Sequence, residues 1–169
     1  MKSAISLPTD MCIIVTYRCP MQCQMCNIWQ NPTDQHQEIT PMEMERLPKV
    51  KFINITGGEP FVREDLEEII EVAFRKSPRV VISTSGWFEE RIIHLAEKFP
   101  KIGIRISIEG LSLKNDELRG RKGGFDKGLR TLLRLQEMGV KDIGFGITVS
   151  NSNSADMLSL YRLSRSLGM

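Results

Sequence analysis

The chain has 169 residues, enough for one domain with a core of its own. It is 41% hydrophobic and 26% charged, and its 23 basic and 21 acidic residues leave a net charge of +2, a balance that gives no reason to expect a nucleic-acid or anionic-membrane partner. The longest apolar runs, such as "MCIIV" and "VVI", are strand-length, and the N-terminal "MKSAISLPTD" is interrupted at Pro8, Thr9 and Asp10 before a signal-peptide core can form.

In chain order, "MCIIVT" (11–16) is a β-rich run followed by a loop holding Cys19, Cys23 and Cys26. "PMEMERLP" (41–48) has short helical character after Thr40, a plausible N-cap. "KFINIT" (51–56) predicts a strand, and "REDLEEIIEVAFRK" (63–76) predicts a helix from the spacing of Leu66, Ile69, Ile70 and Ala73. Strand 79–84 and helix 88–99 follow, then strand 101–108 and helix 125–139, the latter closed by Gly139. Strand 141–150 and helix 154–168, with Ser154 as cap and Gly168 as stop, complete the pattern. Five strand-then-helix units argue for a parallel sheet with right-handed crossovers. The strands read as apolar on both faces. Five units cannot close an eight-fold barrel, which leaves an open doubly wound sheet or most of a smaller, partial barrel. The chain stops just after "SLGM", where a sixth strand is expected, and so reads as a single domain, 1–169, truncated at its C-terminus.

The chemically unusual residues fall at the carboxyl ends of the strands, the edge where parallel α/β folds build active sites. The three cysteines follow the first strand and "GGEP" (57–60) the second. "STSG" (83–86), "SIEG" (107–110) and "TVSNSN" (148–153) end the next three. With no leader and no span, the expected compartment is the reducing cytoplasm, where clustered thiols indicate metal or catalysis rather than disulfides. C-x3-C-x2-C gathers three soft ligands around one loop. A structural zinc site closes with four. Cys12, inside the first strand, reads as a small buried apolar residue, and His36 sits in a polar stretch. Three ligands therefore favour a cluster with one open iron, against zinc or unrelated free thiols. In "TGGEP" the glycines permit close backbone approach, Pro60 stiffens the exit and Glu59 adds a carboxylate.

Together these residues resemble the radical S-adenosylmethionine superfamily. Cys19, Cys23 and Cys26 match its cluster motif and "GGEP" its second hallmark. "RISIEG", "DELRGRKGGFDKGLRTLLRL" and "TVSNSN" are similar to stretches of members that modify peptides or build molybdopterin and haem-type cofactors. The resemblance implies a partial parallel (β/α) barrel with about five of six units, a [4Fe–4S] cluster on the three thiolates, and S-adenosylmethionine on the fourth iron. It implies one-electron cleavage to a 5′-deoxyadenosyl radical that takes hydrogen from a substrate, peptide or small molecule, with a reductant such as flavodoxin or ferredoxin.

The resemblance also implies site residues. Gly57, Gly58, Glu59 and Pro60 form the loop that receives the methionine amino group, mainly through backbone oxygen. Ser107 and Glu109 bond the ribose or the methionine moiety, and Arg119 its carboxylate. Ser83, Ser85, Thr148 and Asn151 are further candidates. The chain departs from the family's usual pattern at Met25, commonly aromatic, and at Glu109, often Asp. Trp29 reads as cluster shield or plain core, His94 as a surface histidine, and "RGRKGG" (119–124) as a solvated basic loop. The competing readings are an iron–sulfur electron-transfer or sensor protein, which has no use for GGEP, and a zinc-binding structural module.

Overall fold

The computed structural model describes residues 8–169; residues 1–7, most of the stretch read above against a signal peptide, lie outside it. The strands are β1 (Asp10–Ile14), β2 (Phe52–Thr56), β3 (Val80–Thr84), β4 (Gly103–Ser107) and β5 (Ile143–Gly146). They form one parallel sheet in the order β1-β2-β3-β4-β5, with Cys12 beside Asn54, Ile55 beside Ile82, Ile82 beside Ile104 and Arg105 beside Gly144. Every neighbour in the sheet is the next strand in sequence. Crossovers of one hand then place all the helices on one face. This is an open, partial β/α barrel, and it excludes the doubly wound alternative, in which helices cover both faces.

Burial along the strands shows that one-sidedness. Ile53, Ile55, Val80, Ile82, Ile104 and Ile106 are fully buried under the helices, each contributing on the order of 2–3 kcal/mol of apolar burial. The other face carries Cys12, Asn54, Ser83, Arg105 and Ser107, all exposed or half-exposed, Ile14, which is 48% exposed, and a buried Val81 between Asn54 and Gly103. The expectation of strands apolar on both faces therefore fails. Cys12 is exposed, not a buried apolar residue, because β1 is an edge strand and Cys12 faces the uncovered side.

The helices are α1 (Pro41–Met44), α2 (Leu66–Lys76), α3 (Glu89–Lys98), α4 (Ser112–Arg119), α5 (Gly124–Glu137) and α6 (Met157–Ser166). α1 is one turn, opened by a capping box between Thr40 and Glu43. α2 buries Leu66, Ile69, Ile70 and Ala73. α5 ends near Gly139, whose φ of 79° is left-handed. Ser154 is not the cap of α6. It starts a 3-10 turn, Ser154–Asp156, preceded by Asn153, and α6 begins at Met157. β5 keeps only residues 143–146 of the expected strand 141–150. Residues 147–150 leave the sheet and turn on Ser150 and Asn153.

Candidate active site

The carboxyl ends of β1 to β5 surround a cavity of about 200 Å³. Cys19, Cys23 and Cys26 line it together with Gly57, Gly58, Ser83, Ser85, Ser107, Glu109, Arg119 and Thr148. Asn151 does not; it is exposed. Glu59 and Pro60 lie buried behind the wall.

The loop of thiols leaves β1 along a path fixed by its own backbone. Thr16 and Arg18 offer their carbonyls to Gly58 N at 2.7 Å and Glu59 N at 2.9 Å. A Cβ on Gly57 would stand 2.5 Å from Thr16 O, and one on Gly58 2.4 Å from Arg18 O. The two glycines are thus required by close approach to the thiol-bearing strand exit as well as by the cavity they line. Farther along, Gln22 N and Gln24 N donate to Arg119 O and Leu118 O at 3.1 and 2.8 Å, which ties the loop to the end of α4. Trp29 Nε1 donates to Cys26 O at 2.8 Å and Cys23 O at 3.3 Å. Trp29 and Met25 both line the cavity, so this tryptophan is part of the thiol loop's frame. Burial pushes the Cys19 thiol up to about 11 and moves the Cys23 thiol upward too, with the Arg119 charge opposing it at Cys23.

Glu59 is fully buried. Its carboxylate accepts from Phe61 N at 3.2 Å, Thr84 Oγ1 at 2.7 Å, Ser85 N at 2.7 Å and Ser85 Oγ. Those donors fasten the glycine loop to the end of β3. The side chain is occupied, and the loop faces the cavity through Gly57 and Gly58. Ser83 Oγ donates to Asn54 Oδ1 at 3.1 Å on the uncovered face.

On the opposite wall, Arg119 Nη1 donates to Glu109 Oε1 at 3.1 Å, and Glu109 Oε2 accepts from Thr148 N at 2.8 Å. Both side chains are buried, and Arg119 Nε has no partner among the described residues. Of the two asparagines in residues 148–153 the buried one is Asn153, whose Nδ2 donates to Glu109 O and Thr148 O at 2.9 and 3.0 Å. The pattern "SNSN" holds both asparagines, and spacing alone does not say which one turns inward.

Three cysteines on one cavity are a soft sulfur donor set. Among the described residues no three Cys, His, Asp or Glu side chains stand close enough together to share a metal ion. Neither His36, exposed on a separate 3-10 turn, nor Cys12 lines the cavity. The wall adds a buried guanidinium N–H without an acceptor. This set suits an iron–sulfur cluster with one site left to an exogenous ligand bearing an anionic group; a closed four-ligand zinc site fits it less well.

Residues 13–163 match the family model described as the Radical SAM superfamily. The chain is 32% identical over 161 residues to Fe-coproporphyrin III synthase of Methanosarcina barkeri, covering 88% of this chain and 39% of that protein. It is 31% identical over 170 residues to GTP 3′,8-cyclase of Aquifex aeolicus, covering 93% of this chain and 53% of that protein. In fold it is similar to Streptococcus suis SuiB, solved bound to its precursor peptide SuiA and bound to S-adenosylmethionine, with a TM-score of 0.75 and 19% identity over 95% of this chain and 38% or 39% of that one. The chain thus spans well under two thirds of the length of these proteins.

Proposed function

The chain belongs to the radical SAM superfamily, and from that premise we propose that its cavity is the site of a [4Fe–4S]-dependent, S-adenosylmethionine-cleaving enzyme acting on a peptide or small molecule. The observation that carries this reading is the donor set: among the described residues one cavity is lined by three thiols, no fourth Cys or His, and Arg119, whose buried Nε has no partner. When bound, the cluster and S-adenosylmethionine supply one-electron cleavage of a sulfonium C–S bond and a carbon radical that takes hydrogen from substrate.

The chain's own residues have separable tasks in this reading. Cys19, Cys23 and Cys26 hold the cluster. The Gly57–Gly58 backbone receives the methionine amino group, and Glu59 keeps that backbone in place. Arg119 binds the methionine carboxylate through the N–H it does not spend on Glu109. Ser107 and Glu109 orient the ribose or the methionine moiety, and Ser83, Ser85 and Thr148 complete the wall. Asn151 lies exposed, outside the cavity lining, whereas Asn153 positions Glu109 and Thr148. Met25, Ile28 and Trp29 limit water access on the thiol side. A low-potential one-electron donor, flavodoxin or ferredoxin, reduces the cluster. The four free cysteines suit the reducing cytoplasm, and no helix among the described residues is long and apolar enough to cross a membrane.

The test is anaerobic reconstitution followed by electron paramagnetic resonance of the reduced protein with and without S-adenosylmethionine. A cubane signal that changes on addition supports the reading. A signal indifferent to it leaves an electron carrier or sensor, and bound zinc in place of iron leaves a structural module.

A further inference from the structure

One buried carboxylate that lines no part of the cavity gathers the side chains of the segment that leads into the thiol loop. Glu38 lies in the strap after the third cysteine and is buried. Its Oε1 accepts from Thr16 Oγ1, from Thr33 Oγ1 at 2.7 Å and from Arg18 Nε at 2.9 Å, and its Oε2 accepts from Arg18 Nη2 at 2.9 Å. Arg63, 4% exposed, stands 3.5 Å from Oε2 and itself donates to Val15 O at 2.6 Å and Ile39 O at 2.9 Å. Thr16 and Arg18 therefore face two ways. Their side chains converge on Glu38, while their carbonyls hold Gly58 N and Glu59 N. Arg18 immediately precedes Cys19, and Arg63 closes the turn that begins at Pro60.

We infer that Glu38 is a positioning residue that fixes the Thr16–Arg18 segment, and through it sets the Gly57–Glu59 loop in register with the start of the thiol loop. A bidentate arginine–carboxylate pair fixes orientation as well as distance, and rigid support behind a site is what holds its groups to productive geometry. Without the carboxylate charge, Arg18 loses its counter-ion and Arg63 is left with Asp65 alone, at 2.7 and 2.8 Å, so the two carbonyls that hold the glycine loop are free to shift.

The test reads the backbone directly and needs no cofactor. In the full chain, Glu38→Gln is expected to speed hydrogen exchange at the Gly58 and Glu59 amides by about tenfold or more relative to the Ile104 amide, whose bond to Asp142 O joins β4 to the start of β5. Replacing a buried pair by apolar residues often restores stability. Arg18→Met with Glu38→Met is therefore expected to return Ile104 to wild-type protection while Gly58 and Glu59 stay fast. Wild-type protection of the two loop amides in Glu38→Gln overturns the inference. So does equal acceleration of Ile104, which marks a general stability role.

A second arm rests on the proposed function. In the reconstituted protein, Glu38→Gln raises by about tenfold the S-adenosylmethionine concentration that half-completes the paramagnetic change. If the loop amides are released but the wild-type chain takes up no cluster, the cofactor reading fails and the positioning role stands.

Discussion

Arg119, which lines the same cavity as the three thiols, spends one guanidinium nitrogen on Glu109, at 3.1 Å, and leaves its buried Nε without an acceptor among the described residues. An unpaired buried donor costs about 1–3 kcal/mol. Glu109, anchored in turn by Thr148 N, makes it possible to bury the guanidinium at all. The pair is a half-used fork: one tine neutralises the charge, and the other has no partner among the described residues.

Arg119→Gln is expected to weaken S-adenosylmethionine binding by about 10–100-fold, the range of a charge-assisted hydrogen bond of roughly 1.5–3 kcal/mol. Arg119→Lys recovers little of it, because an ammonium cannot hold Glu109 and a second carboxylate in the same fork. Equilibrium dialysis on the anaerobically reconstituted protein measures both. Wild-type affinity in Arg119→Gln would remove this residue from the ligand's shell.

Glu59→Gln acts on stability first. The carboxylate accepts from two backbone amides and two hydroxyls in a fully buried position, and an amide presents one donor face to that ring of donors. A loss of about 2–3 kcal/mol is expected in urea unfolding. An unchanged urea midpoint would show that these bonds do not fasten the glycine loop to β3.

Gly58→Ala is expected to cost about 3 kcal/mol, since its Cβ would meet backbone atoms, Arg18 O at 2.4 Å and Tyr17 O at 2.7 Å. Gly123→Ala is the comparison. It has a φ of 77° with nothing within 4 Å of its Cβ, so only the backbone conformation resists it, at about 1 kcal/mol. Equal losses in parallel unfolding curves would rule out close backbone approach as the reason for glycine at 58.

The sequence carried the sheet and its reactive edge because both follow from local periodicity. Apolar runs alternate with helical stripes, and the polar clusters sit where strands must end. α4 did not show. Its inward face is Asn115, Leu118 and Arg119, while Leu113 is 82% exposed, so no apolar stripe marks it. It is held instead by polar bonds, such as Glu109 N to Asn115 Oδ1 at 2.9 Å, and by Gly120 at a φ of 64°. The uncovered face of the sheet, and with it Cys12, was misjudged because one-sidedness comes from strand order, which no single strand encodes. Asn153 and Glu38 were missed for a related reason. Their partners are brought to them by the fold, across 44 residues for Asn153 and Glu109, and 20 for Glu38 and Arg18.

The Glu38 cluster also sets an acid limit on stability. Burial alone would raise this carboxyl, but the hydrogen bonds from Arg18, Thr16 and Thr33 outweigh it and bring the group from an ordinary 4.5 to about 2. A carboxyl depressed in the folded state binds protons more readily when unfolded. Its contribution is complete above about pH 4.5 and is lost as pH falls from there toward 2. Asp65, Glu89 and Asp142, also held low by arginine partners, add to the same slope in any variant. The expected result is therefore a difference. Urea midpoints of the wild-type chain should fall more steeply between about pH 4.5 and 2 than those of Glu38→Gln, which has no proton to take up there. The two should run parallel above pH 5, with the variant lower throughout. Parallel curves across the acid range as well would mean that the Glu38 carboxyl titrates alike in the folded and unfolded chain, and that its arginines do not hold it ionised.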